Sequence, residues 1–138
     1  MFPHMASDSA LSDTEERRPH GGEALAAISN GVVRLMRDAT GKGPTKCKTH
    51  WAGSDTLVVV LGGGYLEAEK TLYAAGRAED VRQSRQAIQA VLENPMRALV
   101  EETVGRRVIA FMSTQHQDPD LQVEIFVLEP SGASGDFA

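Results

Sequence analysis

Residues 57–70 read LVVVLGGGYLEAEK. Five consecutive large apolar residues, three glycines and a run of helix formers leave this stretch few conformations. Leu57–Leu61 is too short to be a buried helix and is bounded by turn residues, so Thr56–Leu61 reads as a central strand buried on both faces. The glycines allow a sharp corner, and Leu66–Ala75, closed by Gly76, reads as a short helix. A strand, a glycine-rich turn and a helix also make up the common phosphate cradle. The sequence speaks against that use. Gly62 and Gly64 match the first two positions of a dinucleotide fingerprint, but Glu67 stands where the third glycine belongs. Glu67 and Glu69 already place negative charge at the helix N-terminus, where a phosphate would be repelled. No Gly-Lys-Ser/Thr precedes the helix, and the strand is the second arm of a hairpin instead of the start of a βαβ unit. The corner reads as structural.

The flanking segments complete a pattern. Leu25, Ile28, Val32, Leu35 and Met36 recur at helical spacing, predicting a helix over 23–38 that Gly41 ends and Pro44 blocks. Gly31, mid-helix, suggests a close approach to another backbone. In 45–52, Cys47, Thr49 and Trp51 alternate with Lys46, Lys48 and His50, predicting a half-buried strand with a basic outer face; Gly53-Ser54-Asp55 makes the turn into 56–61. A long helical stretch covers 79–104, with a kink or break at Asn94-Pro95. Two strands follow. In 107–114, Val108, Ala110 and Met112 share a face; in 121–128, Val123, Ile125 and Val127 alternate with Gln122 and Glu124. The order α-β-β-α-α-β-β predicts an α+β fold: a four-stranded antiparallel or mixed sheet from two hairpins, with helices packed on one face. One domain over 22–130 follows, with disordered tails at 1–21 and 131–138.

Composition narrows the function classes. Nineteen acidic against 14 basic residues give a net charge of −5, so a dedicated nucleic-acid partner is not expected. The longest apolar run is far short of the ~20 residues that span a bilayer, so no direct membrane insertion is expected. No secretory signal is visible, and the single Cys47 makes no internal disulfide, pointing to a cytoplasmic protein.

The chemistry-bearing residues form no known catalytic constellation. Arg77, Arg82 and Arg85 cluster near the start of the long helix and are candidates for binding an anion, together with Lys42 in the Gly41-Lys42-Gly43-Pro44 turn. The alternative is pairing with neighbouring acids, as Arg97 stands four residues before Glu101. Lys42, Lys46 and Lys48 are the residues a nucleic-acid module would use. His116, Asp118 and Asp120 have metal-ligand donors but read as turn residues, and no metal or other cofactor is implied. Cys47, on an inner strand face, reads as a small hydrophobe.

Taken in order, "GKGP", "LVVVLGGGYLEAEKTL", Gly76, Val81, Arg85, "VEETVGRRVIAF" and "DPDLQVEIFVLEP" resemble a bacterial family of small proteins, the MpsC family. The most specific pieces are Gly105-Arg106 with Val108, and the ending Phe126-Val127-Leu128-Glu129. The family tends to have Leu-Thr at the start of the short helix; this chain has Tyr65-Leu66. The resemblance implies a non-catalytic accessory protein of a Na+-translocating, membrane-potential-generating, inorganic-carbon-linked system. It would work beside a membrane transport complex, peripheral at the inner face of the membrane. A small-ligand or anion sensor and a nucleic-acid module are the alternatives. A homodimer is expected, because a four-stranded sheet has edges to protect.

Overall fold

The structure, a computed structural model, describes residues 21–130. The tails expected at 1–21 and 131–138 lie, apart from Gly21, outside the described residues. The elements are α1 (Gly22–Thr40), β1 (Lys46–Trp51), β2 (Thr56–Gly62), α2 (Glu67–Ala74), α3 (Ala78–Val104), β3 (Val108–His116) and β4 (Leu121–Leu128). The four strands form one antiparallel sheet in the order β1-β2-β4-β3. The chain is thus two successive helix–hairpin units, α1-β1-β2 and α3-β3-β4, joined by α2. The hairpins meet through β2 and β4 at the middle of the sheet. This is the predicted α+β class with no parallel pair.

α1 packs over β1 and α3 over β3, so both long helices lie on one face. The inner face of β2 carries Leu57, Val59 and Leu61, and these form the core with Ile28, Val32, Leu92, Met96, Val100, Val108, Phe126 and Leu128. Central position is as predicted for β2, but only alternate residues are fully buried; Val58 and Val60 are half-buried and turn to the face opposite the described helices. The same pairing reverses the reading of the second hairpin. Leu57 lies opposite Phe126, Val59 opposite Glu124 and Leu61 opposite Gln122, so Gln122 and Glu124 face the helices. Val123, Ile125 and Val127 face out beside Val58 and Val60. On β3 an irregularity at Ile109 shifts the register. Val108 therefore points inward with Phe111 and Ser113, while Ala110 and Met112 point outward, so the shared face expected for Val108, Ala110 and Met112 does not form.

α3 runs unbroken for 27 residues through Pro95. The expected break is absent because the proline is exposed, and the carbonyl it leaves without an N–H belongs to Val91, a residue 76% exposed and open to water. Gly31 does mark a close contact, though with a side chain: a Cβ there would sit 2.5 Å from Leu99 Cδ1, so the missing side chain lets α1 approach α3. Gly41 closes α1 in the left-handed conformation, its N–H donating to Arg37 O at 2.8 Å.

At the corner after β2 the three glycines are unequal. Gly63 has φ +73°, and a Cβ on it would lie 2.0 Å from Thr45 Oγ1; the nearest atom to one on Gly64 is at 3.8 Å. Gly63→Ala is therefore expected to destabilise the protein by about 2 kcal/mol or more, combining left-handed strain with a collision. Gly64→Ala should fall within about 0.5 kcal/mol of the parent. Urea titrations of the two variants side by side check this.

Candidate functional site

The N–H groups at the start of α2 are already taken by carboxylates. The N–H of Leu66 donates to Glu69 Oε1 and that of Tyr65 to Asp120 Oδ2, both at 2.9 Å. Carboxylates from α2 and from the β3–β4 loop thus take the donors an anion would use. They also do the capping that a threonine at this helix start would do, which Leu66 cannot.

Those two carboxylates are held by Arg85. Its Nε and Nη2 donate to Glu69 at 3.1 Å and its Nη1 donates to Asp120 at 2.9 Å. The guanidinium stacks 4.4 Å from the centre of the Tyr65 ring, whose hydroxyl donates to Gln117 O. Arg85 and Glu69 are both buried, an unusual state for charged residues and one tolerated because the pair is complete. Burial opposes the charge on Arg85, but hydrogen bonds with Glu69 and Asp120 outweigh it and hold the guanidinium above its ordinary range. The cluster fastens α3 to α2 and to the second hairpin.

One turn further along α3, Gln89 reaches a second buried group. Glu124 is 0% exposed. It accepts from Gln122 Nε2 at 2.6 Å and from Ser113 opposite it on β3. The Gln89 amide, turned so that its nitrogen faces the carboxylate, donates to both Glu124 oxygens at 3.2 Å. No cation faces Glu124 in this set, so burial dominates and pushes its carboxyl up to about 7. The neighbouring Cys47 thiol is also raised, chiefly by burial and in part by Glu124. A cavity of about 30 Å³ is lined by both groups, with Glu69, Arg85 and Asp120 alongside Gln89 and Gln122. Beside them a cleft of about 320 Å³ opens between α3 and the edge strand β3, lined by Arg82, Gln86, Gln89, Phe111, Ser113 and Gln115 among others. Gln115 Oε1 is buried there without a hydrogen-bond partner among the described residues.

The four residues singled out as anion ligands do not converge. Arg85 is held by two carboxylates as above. Arg82 pairs with Glu79, and Arg77 with Asp80, both on the helix surface. Lys42 Nζ donates to Tyr65 O at 2.8 Å, tying the turn after α1 to the glycine corner. Arg97 reaches back to Glu93 at 2.9 Å and to Val108 O, leaving Glu101 to accept from Val108 N–H. Lys46, Lys48 and His50 lie on the outer face of β1, as expected. Among the described residues no group of three or more His, Cys, Asp or Glu is placed to hold a metal. Asp120 is instead bound to Arg85, and His116 Nδ1 is 3.0 Å from Pro119 O.

The residues the sequence did not flag are Gln89, Gln122 and Glu124; Glu69 was read only as a charge at the helix start, not as a partner of Arg85. The one signal for the pair on β4 was their strict alternation with valine and isoleucine, which by itself assigns them to solvent.

The pieces that carried the resemblance also meet in space. Gly105 ends α3 with φ 72°, aiming Arg106 at the far end of the sheet. Arg106 donates to Glu129 O at 3.0 Å, to Ser54 O at 2.9 Å and to the buried Asp55 carboxylate. It thus joins the β1–β2 turn to the end of β4. The family model described as Na+-translocating membrane potential-generating system (MpsC) matches residues 20–130, the whole of this architecture. The chain belongs to the MpsC family. No curated protein and no solved structure matches it. The match makes the chain a relative of a component of a Na+-translocating, membrane-potential-generating system. Among the described residues of this MpsC-family chain, no helix is long and apolar enough to cross a membrane.

Proposed function

We propose that this MpsC-family chain is a non-catalytic accessory component of a Na+-translocating, membrane-potential-generating system, bound at the cytoplasmic side of its membrane subunits. The observation that carries this reading is the outer face of the sheet, which no helix covers among the described residues. Val58, Val60, Val123, Ile125 and Val127 lie together on it, extended by Met112 and Leu121, which are 49% and 41% exposed. A contiguous apolar patch of this kind on a small domain marks a docking surface. Its flank on β1 is basic, through Lys46, Lys48 and His50. The family match supports a membrane system as the setting.

Affinity purification from native membranes of a strain carrying the transport genes tests the proposal. The tagged chain should recover the system's membrane subunits. Val60→Glu places a charge in the middle of the patch, opposite Lys48, which can pair with it and keep the fold intact. This variant should lose at least tenfold in recovery with an unchanged melting curve. Failure of the parent to recover any subunit overturns the reading.

The cleft beneath α3 favours a second reading, a sensor of small polar ligands. Its amides and hydroxyls are the groups that orient such a ligand. A thermal-shift screen with nucleotides, phosphate and bicarbonate tests it, and no shift with any of them removes it.

A further inference from the structure

The two edges of the sheet differ in a way that points to a second copy of this chain. β1 is six residues long and presents Lys46, Lys48 and His50 along its outer side. Two such strands paired about a two-fold axis would set like charges against each other, the usual guard on an exposed edge. β3 is nine residues long, and from Val108 to Gln115 it holds no charged residue and no proline. Its sole defence is the irregularity at Ile109, which affects only its first residues. From Phe111 onward the strand is regularly paired to β4 on one side, and among the described residues no strand lies beside its other side. The hydrogen-bonding groups along that side accept one kind of partner, an extended strand.

We propose that β3 pairs antiparallel with β3 of a second copy, joining two four-stranded sheets into one of eight strands. Two observations select a copy of this chain as the occupant. The uncharged run is self-complementary about a two-fold axis, whereas the β1 edge is self-repelling. Exposed apolar side chains gather at this edge, with Ile109 45% and Met112 49% exposed, and pairing carries the apolar outer face across the junction.

The size of the contact sets its strength. About seven paired residues at ~3.4 Å each, across a helix-and-sheet thickness of roughly 20 Å, give on the order of 500 Å² per partner. That is below the ~800 Å² of a standard interface, so the dimer belongs to the weak class. Its dissociation constant is expected at about 1–100 μM.

Sedimentation velocity on the full chain from 1 to 500 μM, with hydrogen exchange at both extremes, is the test. The parent should shift from monomer to dimer across this range, with amides of Phe111–Gln115 gaining protection as dimer forms. Met112→Lys/Thr114→Lys places charges at two exposed positions of the edge and should weaken the dimer at least tenfold with the melting curve unchanged. Val60→Glu, on the central outer face, should leave it intact, which also separates this contact from the docking face proposed above. A parent that stays monomeric at 500 μM overturns the proposal. So does a dimer abolished by Val60→Glu and unaffected by the two lysines, because the contact is then face to face.

Discussion

Replacing Arg85 with methionine is expected to cost about 3–5 kcal/mol of folding stability, the largest loss at any single polar position of this protein. The size follows from what remains. Glu69 and Asp120 have side chains only 9% and 13% exposed, and both are ion-paired with the Arg85 guanidinium. With the arginine gone, two carboxylates face each other in a poorly solvated place, and the N–H groups of Leu66 and Tyr65 do not suffice to hold them. The loss is a large part of the ~5–15 kcal/mol that stabilises a domain of this size. Urea denaturation of Arg85→Met at pH 7 measures it. The mechanism has its own signature: Arg85→Met/Glu69→Gln should recover ~1–2 kcal/mol, because glutamine keeps an acceptor for Leu66 N–H and removes one stranded charge. Arg85→Lys should recover only part, since an ammonium cannot bridge Glu69 through two nitrogens while reaching Asp120 with a third. If the single and double variants are equally unstable, charge stranding is not the cause and packing of the arginine stem is.

Stability is expected to fall by about 3 kcal/mol as pH rises from 5 to 8, and Glu124→Gln should abolish most of that slope. The sign comes from where the proton sits. In the unfolded chain a glutamate releases its proton near its ordinary value of 4.5, whereas in the folded protein Glu124 keeps its proton up to about 7. Between these values the folded state binds more protons than the unfolded state, so each rise in pH draws stability down, and above 7 the loss is complete. At ~1.4 kcal/mol per unit, the two units from pH 5 to 7 give the stated magnitude. The groups around Glu124 supply no compensating charge: Gln89 from α3, Gln122 on its own strand, Ser113 from β3, Val59 from β2 and Cys47 from β1 are all neutral at these pH values. Chemical denaturation of parent and Glu124→Gln at pH 5, 6, 7 and 8 gives the comparison directly. A parent whose difference from Glu124→Gln is flat across this range would mean that water or the cleft solvates the carboxylate. A downward slope confined to the parent would make this buried group the main titrating element of the α3–sheet contact.

Much of the architecture was legible because its signals are local. The helical spacing of Leu25, Ile28 and Val32, the stop at Gly41 and the apolar run 57–61 each depend on a few neighbouring residues. α1, the two hairpins and the glycine corner accordingly lie where the sequence puts them, within one to two residues. The negative reading of that corner also rested on local chemistry: carboxylates next to a helix N-terminus. Of the kink or break expected at Pro95 the break does not occur, because the proline and the Val91 carbonyl it leaves unpaired lie on the solvent side of the helix.

The candidate site was not legible, for a physical reason seen best in β4. Alternation shows that Gln122 and Glu124 share a face opposite Val123, Ile125 and Val127, but not which face the helices cover. Apolar residues normally take the covered side, and a reading of the strand alone must follow that rule. The pairing of β4 with β2 decides otherwise. β2 is apolar on both faces, so either assignment looks acceptable from its sequence, and the register that sets Val59 against Glu124 sends the carboxylate inward. The polar residues are tolerated there because α3 brings Gln89 above them and Ser113 comes across from β3, partners 35 and 11 residues away from Glu124 in the chain. Arg85 is the same case: its sequence neighbours offer acids, yet its partners are Glu69 and Asp120, joined to it only by the packing of α2 and the second hairpin. The sequence by itself determined the family, the order of the elements and the class of the fold, since these follow from periodicity and turn chemistry over short spans. The tertiary structure alone decided which face of the sheet is covered, which charges are neutralised and which edge is left open, because each of these depends on contacts between segments that no local pattern encodes.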